Sequence, residues 1–373
     1  MATQTAGLVP PPGKKKLVRR AAPENSQLIR HAVQLAFGLL NIFLGIQFYL
    51  WVRFLELDGV DFHVPRPAGV EGWLPIAGLM NFKVFVSTGH VPVIHPAAMF
   101  LFIAFMAMCL IAKKSFCSWL CPVGTFSELL ARLGKKLFRR NLRPPGWLDI
   151  PLRGLKYLLL GFFVFIIGTM SAATIQEFMA TPYGIIADVK MLNFFRDMSE
   201  TAAMVIAVLV ALSILVEHFW CRYLCPYGAL MGLVSLLSPL KIRRNPQACI
   251  DCAKCAHACP ASLPVDKLVQ IRSVECTACL ACVASCPAEG ALQFSLPQGR
   301  SLPIAGGTNY TPAAALPRYL RPVTPLAMVV ILAVIFFGLI LAAQATNHWQ
   351  THVPQDVYQQ LVPNANLATH PGF

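Results

Sequence analysis

The chain has 373 residues, 56% of them hydrophobic and 13% charged, with a formal net charge of +14. That apolar excess excludes an ordinary soluble protein, and a mean hydropathy of +0.59 points to an integral membrane protein. The charge does not indicate nucleic acid, because the basic residues gather beside hydrophobic runs rather than on one polar domain.

Residues 1–27 read as a flexible basic arm, with Lys14, Lys15, Lys16, Arg19 and Arg20 among Pro and polar residues. The first span follows at about 32–51, too long for a signal-peptide core. Further spans are expected at about 97–112, 155–173, 201–216 and 326–343, five in all. Lys and Arg alternate between the loops: six before the first span, then three, ten, two and ten, and none beyond residue 343. By the positive-inside rule this predicts a multi-pass protein of the bacterial inner membrane. The N-terminus, the 113–156 loop and the 220–322 segment are then cytoplasmic, and the C-terminus periplasmic.

The membrane part repeats itself. Phe116-Cys117-Ser-Trp-Leu-Cys121-Pro122-Val-Gly124 matches Trp220-Cys221-Arg-Tyr-Leu-Cys225-Pro226-Tyr-Gly228, and Arg139-Arg140 and Arg243-Arg244 follow at equal offsets. The predicted fold is an α-helical membrane protein of five transmembrane helices, two parallel repeats plus one, with an inserted α+β ferredoxin-like domain. The boundaries are repeat 1 at 28–143, repeat 2 at 144–245, the ferredoxin-like domain at 246–295, a linker at 296–325, the last helix at 326–343 and a periplasmic tail at 344–373.

Four cysteine motifs hold twelve of the thirteen cysteines, and Cys109 alone lies in an apolar run as a small buried hydrophobe. Cys249, Cys252, Cys255, Cys259-Pro260 and Cys276, Cys279, Cys282, Cys286-Pro287 are two copies of C-x2-C-x2-C-x3-C-P, the spacing of a two-cluster ferredoxin. By the crossing rule Cys249, Cys252, Cys255 and Cys286 hold one [4Fe-4S] cluster, and Cys276, Cys279, Cys282 and Cys259 the other. Zinc gains nothing from a third evenly spaced cysteine and a trailing Cys-Pro.

Cys117, Cys121, Cys221 and Cys225 are spaced to share a helical face at the cytoplasmic end of two spans. They read as a third metal or cluster site, as redox thiols, or as packing residues. The paired arginines, with Lys135, Lys136 and Lys241, are expected at lipid headgroups. His31, His90, His95 and His218, near span ends, read as interfacial or hydrogen-bonding histidines rather than haem ligands. Glu71, Lys83, Asp188 and Lys190 read as solvated loop residues, or alternatively as the surroundings of a quinone headgroup. No nucleotide fingerprint or catalytic nucleophile is visible, so whether the chain is itself an enzyme stays open.

Two membrane C-x3-C-P motifs followed by two ferredoxin motifs resemble the NapH/NosR-type bacterial membrane polyferredoxins. The resemblance implies electron transport through two cytoplasmic [4Fe-4S] clusters, with a quinone or quinol, a cytochrome partner or a cytoplasmic electron carrier as exchange partner. The rival readings are a copper reductase or assembly factor using the membrane cysteine pairs, and a redox-sensing structural subunit.

Overall fold

The computed structural model describes residues 18–20, 24–57, 64–139, 141–142, 144–297 and 322–371. Most of the basic arm, Arg140 and most of the 296–325 linker therefore lie outside the described residues.

The chain is mostly helical. α1 (Ser26–Glu56) leads through a short 3-10 turn (Ala68–Trp73) to α2 (Pro75–Thr88), α3 (Pro96–Ala112), α4 (Ser115–Trp119) and α5 (Pro122–Phe138). Then come α6 (Gly146–Thr169), α7 (Ala172–Ala180), α8 (Pro182–Ile185), α9 (Ala187–Arg196), α10 (Glu200–Leu215) and α11 (Pro226–Val234). Strands β1 (Lys241–Arg244) and β2 (Leu292–Ser295) bracket α12 (Lys254–His257) and α13 (Ala281–Ala284), and α14 (Pro325–Ala345) and α15 (Gln355–Leu361) finish the chain.

Among the described residues three helices, α1, α6 and α14, are long and apolar enough to cross a membrane. A fourth span results if α9 and α10, bent by 83°, are counted as one. The expected second span is α3, whose 17 residues fall short of the roughly 20 that a bilayer core needs. α3 is apolar on every side and packs against α2, α11 and α14, so protein rather than lipid surrounds much of it.

α5 packs on α1 and α10, while α11 packs on α6 and α3. The buried residues of α5 are all small, Gly124, Ser127, Ala131 and Gly134, and Gly134 meets α10. A Cβ at Gly134 would lie 1.9 Å from the Ile214 carbonyl oxygen, so only glycine permits this packing.

The stretches that follow the two C-x3-C-P motifs diverge after α11. Where α5 continues for 17 residues, the corresponding stretch becomes β1, paired antiparallel with β2 in the register Lys241↔Ser295 to Arg244↔Leu292. Arg243 and Arg244, expected at headgroups, instead brace the small domain, Arg243 on the Ser295 carbonyl and Arg244 on Asp251 at 3.4 Å. The end of the basic arm is likewise docked. Arg20 N–H donates to the Pro287 carbonyl at 3.2 Å, and Glu289 N–H to that of Val18 at 3.0 Å.

The segments expected as external loops and tail are built around buried charge rather than solvated. Glu71, His95 and Asp188 are each 0% exposed. Arg66 reaches Glu71 at 2.9 Å and Asp188 at 2.6 Å. His95 Nε2 faces the Gly184 carbonyl at 3.0 Å and Nδ1 faces Glu71 at 3.2 Å. Arg66 also lies 3.4 Å from Nδ1; burial pushes the His95 pKa down, but Glu71 outweighs it and holds it above the ordinary histidine value. The tail closes the cluster: Thr351 donates to Glu71 at 2.8 Å, and Tyr358 packs edge-on against Trp51. Lys83 donates to the carbonyls of Ile167 and Gly168 at 2.8 Å each, capping the last turn of α6.

Burial pushes the Glu71 carboxyl up, but Arg66 and His95 outweigh it and hold it at about 2. A depressed carboxylate contributes stability above its unfolded value near 4.5 and loses it as pH falls toward 2. Glu71→Gln is therefore expected to lower the melting temperature at pH 7 and to flatten its decline between pH 4.5 and 2. An unchanged acid profile in thermal denaturation of the detergent-solubilised chain would count against the cluster's role.

Candidate functional site

The two ferredoxin motifs form matching loops. Asp251 and Ala253 flank Cys252 with φ of 55° and 56°, and Ala278 and Leu280 flank Cys279 with φ of 49° and 59°. Left-handed conformations at four non-glycine positions are costly and are held where a site requires them. They turn successive N–H groups inward, the nest geometry that suits an anionic centre. The third cysteines, Cys255 and Cys282, sit on the single turns α12 and α13.

Cys259, Cys276, Cys279 and Cys282 line one small void, walled by Ile242, Leu263, Val265 and Ile271. Cys286 lies within electrostatic range of Cys249, Cys252 and Cys255. The grouping of thiols and the inward N–H groups fit two iron–sulfur centres with the crossed ligand sets. Cys252 is exposed, whereas Cys276 and Cys282 are buried, so the first set faces outward and the second faces the helices.

The second loop is bolted to the membrane helices. Ser118 Oγ donates to the Thr277 carbonyl at 2.6 Å and Trp119 Nε1 to that of Ala278 at 3.1 Å. Gln27 donates to the Cys279 carbonyl at 2.9 Å, and Lys113 Nζ to that of Ser273 at 3.1 Å. Lys156, 0% exposed, grips Glu275 with both carboxylate oxygens at 2.6 and 2.8 Å. Ser118 and Trp119 lie between Cys117 and Cys121, so the first C-x3-C turn itself seats this loop. Nearby Arg30 holds Glu128 at 2.6 and 2.7 Å and ties α1 to α5.

Cys117 and Cys121 do not share one helical face. α4 ends at Trp119, and Cys121 is the N-cap of α5, with Pro122 at its first position. Cys221 lies in a π-helical turn (Trp220–Leu224), and Cys225 caps α11, accepting the Gly228 N–H at 3.2 Å. A Cβ at Gly124 would lie 2.1 Å from the Cys117 carbonyl oxygen, which explains the glycine of the first motif. At Gly228 a Cβ meets only ordinary contacts, so the second glycine has another cause.

All four of these cysteines line one cavity of about 880 Å³. Its walls are mostly aliphatic and aromatic, among them Phe102, Phe105, Leu160 and Phe336, and Arg66, Trp349 and Gln350 line it as well. Leu40, Trp73, Ile76 and Phe337 also line it and are exposed on the helix surface. Among the described residues no group of three or more His, Cys, Asp or Glu is placed to hold a single metal ion. A mononuclear copper or zinc site at the membrane cysteines thus has no geometric support; a cubane cluster, whose thiolates stand further apart, is a different case.

Of the histidines expected to be interfacial or hydrogen-bonding, His95 takes the second role: it is fully buried with Glu71 and Gly184, and no local pattern marks that pairing. His31, by contrast, is 37% exposed beside Glu128.

Helices able to cross a membrane, joined to a compact domain with eight cysteines in two nests, define a ferredoxin-type membrane protein. A family model described as a 4Fe-4S binding domain matches residues 94–141 and 201–245, and a 4Fe-4S dicluster domain matches 241–287. The chain belongs to the NapH/NosR-type 4Fe-4S membrane polyferredoxins. It is 50% identical over 346 residues to YccM of Escherichia coli (strain K12), named for electron transport, with 93% of each chain covered. It is 28% identical to the ferredoxin-type protein NapH of the same organism, covering 48% of this chain and 60% of that one. It is also 28% identical to the regulatory protein NosR of Pseudomonas aeruginosa, covering 39% and 20%. No solved structure matches the chain.

Proposed function

We propose that this protein relays single electrons between two [4Fe-4S] clusters at the cytoplasmic face and a membrane quinone held in the cavity between the helices. Cys249, Cys252, Cys255 and Cys286 ligate the first cluster, and Cys276, Cys279, Cys282 and Cys259 the second. When bound, each cluster supplies one-electron chemistry. The chain's own residues bury the second ligand set, exclude water from it with Ile242, Val265 and Ile271, and fix its loop against α4 and α6.

The observation that carries this reading is the pair of hydrogen bonds from Ser118 and Trp119 to the 277–278 carbonyls. They join the loop holding Cys276 and Cys279 directly to the turn that forms part of the cavity wall. A volume near 880 Å³ is that of a ligand site, and apolar walls with exposed hydrophobic edges suit an isoprenoid entering from lipid. The relation of α5–α10 to α11–α3 supports the two-repeat arrangement, and the distribution of basic residues supports a cytoplasmic N-terminus and cluster domain with a periplasmic tail. Electron-transfer partners in the membrane or periplasm belong to the same proposal.

Adding a short-chain quinol to anaerobic membrane vesicles, with the iron–sulfur centres oxidised, is expected to change their EPR or visible spectrum within the mixing time of a rapid-mixing experiment. The reverse reaction is followed by adding quinone to dithionite-reduced vesicles. No change in either direction would refute the relay to quinone.

A further inference from the structure

Lys114 and Tyr227, at the cysteine end of the cavity, have no polar partners among the described residues. Lys114 is 3% exposed, and among the described residues its Nζ makes no hydrogen bond or ion pair. Within electrostatic range of its ammonium lie Cys117, Cys221, Cys225 and Glu275. Tyr227, which follows the second Cys-Pro, packs its ring against Phe102 and Phe105, and its hydroxyl has no hydrogen-bond partner among the described residues. Every other buried cation named above is matched: Arg66 by two carboxylates, Lys156 by Glu275, Arg30 by Glu128 and Lys113 by carbonyls.

An ammonium buried against apolar walls is costly unless something accepts its hydrogen bonds. Here the acceptor has to come from the cavity. The neighbouring glycine is consistent with this. A Cβ at Gly228 would lie 3.5 Å from Lys114 Nζ, so glycine is not required by packing and leaves the ammonium uncovered.

At the opposite end the charged groups among the described residues are paired, and the amides of Gln344 and Gln350 lie exposed rather than buried. Arg66 is saturated by Glu71 and Asp188, and Lys83, Glu71 and Asp188 are consumed by the fold. Resting on the quinone reading above, we infer that the headgroup binds at the cysteine end, with one carbonyl oxygen accepting from Lys114 Nζ and Tyr227 donating to the headgroup from beside it. The isoprenoid tail then lies along Phe102, Leu160 and Phe336 toward the lipid. This orientation also sets the headgroup on the side of the cavity that adjoins the Glu275–Cys276 loop.

The test uses the full-length, iron-loaded protein in quinone-free phospholipid nanodiscs, titrated with ubiquinone-2 and with a short-chain menaquinone analogue. Quenching of tryptophan fluorescence reads binding, since Trp73, Trp220 and Trp349 line the cavity. Lys114→Met is expected to weaken binding about tenfold or more, the loss of a hydrogen bond to a charged donor, and Tyr227→Phe by roughly threefold. Gln350→Ala at the other end should leave affinity within about twofold. Iron content should be unchanged in all three. If Lys114→Met does not assemble, Gly228→Ala asks the same question by placing a methyl over the ammonium, with several-fold weaker binding expected.

Unchanged affinity in the Lys114 and Tyr227 variants, with loss in Gln350→Ala, would overturn the placement while leaving the quinone reading intact. Absence of saturable quinone binding in the unmodified protein would overturn that reading itself. Farnesol binding as tightly as quinone, with no dependence on Lys114, would make the cavity a lipid-tail site and overturn both.

Discussion

Replacing Cys276 by alanine is expected to cut the iron content of the anaerobically purified chain from about eight to about four atoms, and Cys286→Ala should do the same. The pairs separate the ligand sets. Cys259→Ala with Cys276→Ala removes two ligands of one cluster and should still leave about four irons, whereas Cys286→Ala with Cys276→Ala should leave none. If the sets were not crossed, so that Cys259 served with Cys249, the two double variants would exchange results. Iron and sulfide analysis decides between them. EPR of the reduced protein should show an interacting pair of centres in the parent chain and an isolated centre in each single variant.

The second large effect concerns the bolt between domain and membrane. Lys156→Met strands the Glu275 carboxylate, which is 9% exposed, and breaking one side of such a pair costs about 3–5 kcal/mol. The 273–279 loop should come loose from α6, seen as proteolysis within 241–297 and a lower melting temperature. Pairing Lys156→Met with Glu275→Gln removes both charges and should recover most of the loss. A double variant no better than Lys156→Met would mean that the bond itself, rather than the stranded charge, holds the loop. The loop also hangs from Ser118 and Trp119, so cluster content should fall less in Lys156→Met than in Cys276→Ala.

Much of the site was legible because its signals are local. Twelve residues contain a complete C-x2-C-x2-C-x3-C-P motif, and each left-handed residue beside Cys252 and Cys279 belongs to the same loop as its ligands. The apolar runs of α1, α6 and α14 announce themselves by length. Where reading by length and charge went astray, the element owed its state to distant partners. Glu71 and Asp188 look like loop acids, yet they meet Arg66 and His95 across as many as 122 residues. Arg243 looks like a headgroup anchor until β2, more than forty residues on, takes its strand. Cys117 and Cys121 look like one helical face until α4 ends at Trp119 and a new helix starts at Pro122, just after Cys121, with Gly124 packing that helix onto the Cys117 carbonyl.

By itself the sequence determined the class of this protein: a membrane polyferredoxin with two cysteine-rich cluster motifs and two repeated C-x3-C-P turns, because spacing and hydropathy are properties of short segments. Only the tertiary structure decided that the second cluster loop rests on the first of those turns, that the four membrane cysteines open on one apolar cavity, and that Lys114 there has no partner among the described residues. The reason is physical: burial and pairing of a charge depend on which segments meet, and Lys156 and Glu275, 119 residues apart, carry no local pattern that foretells their contact.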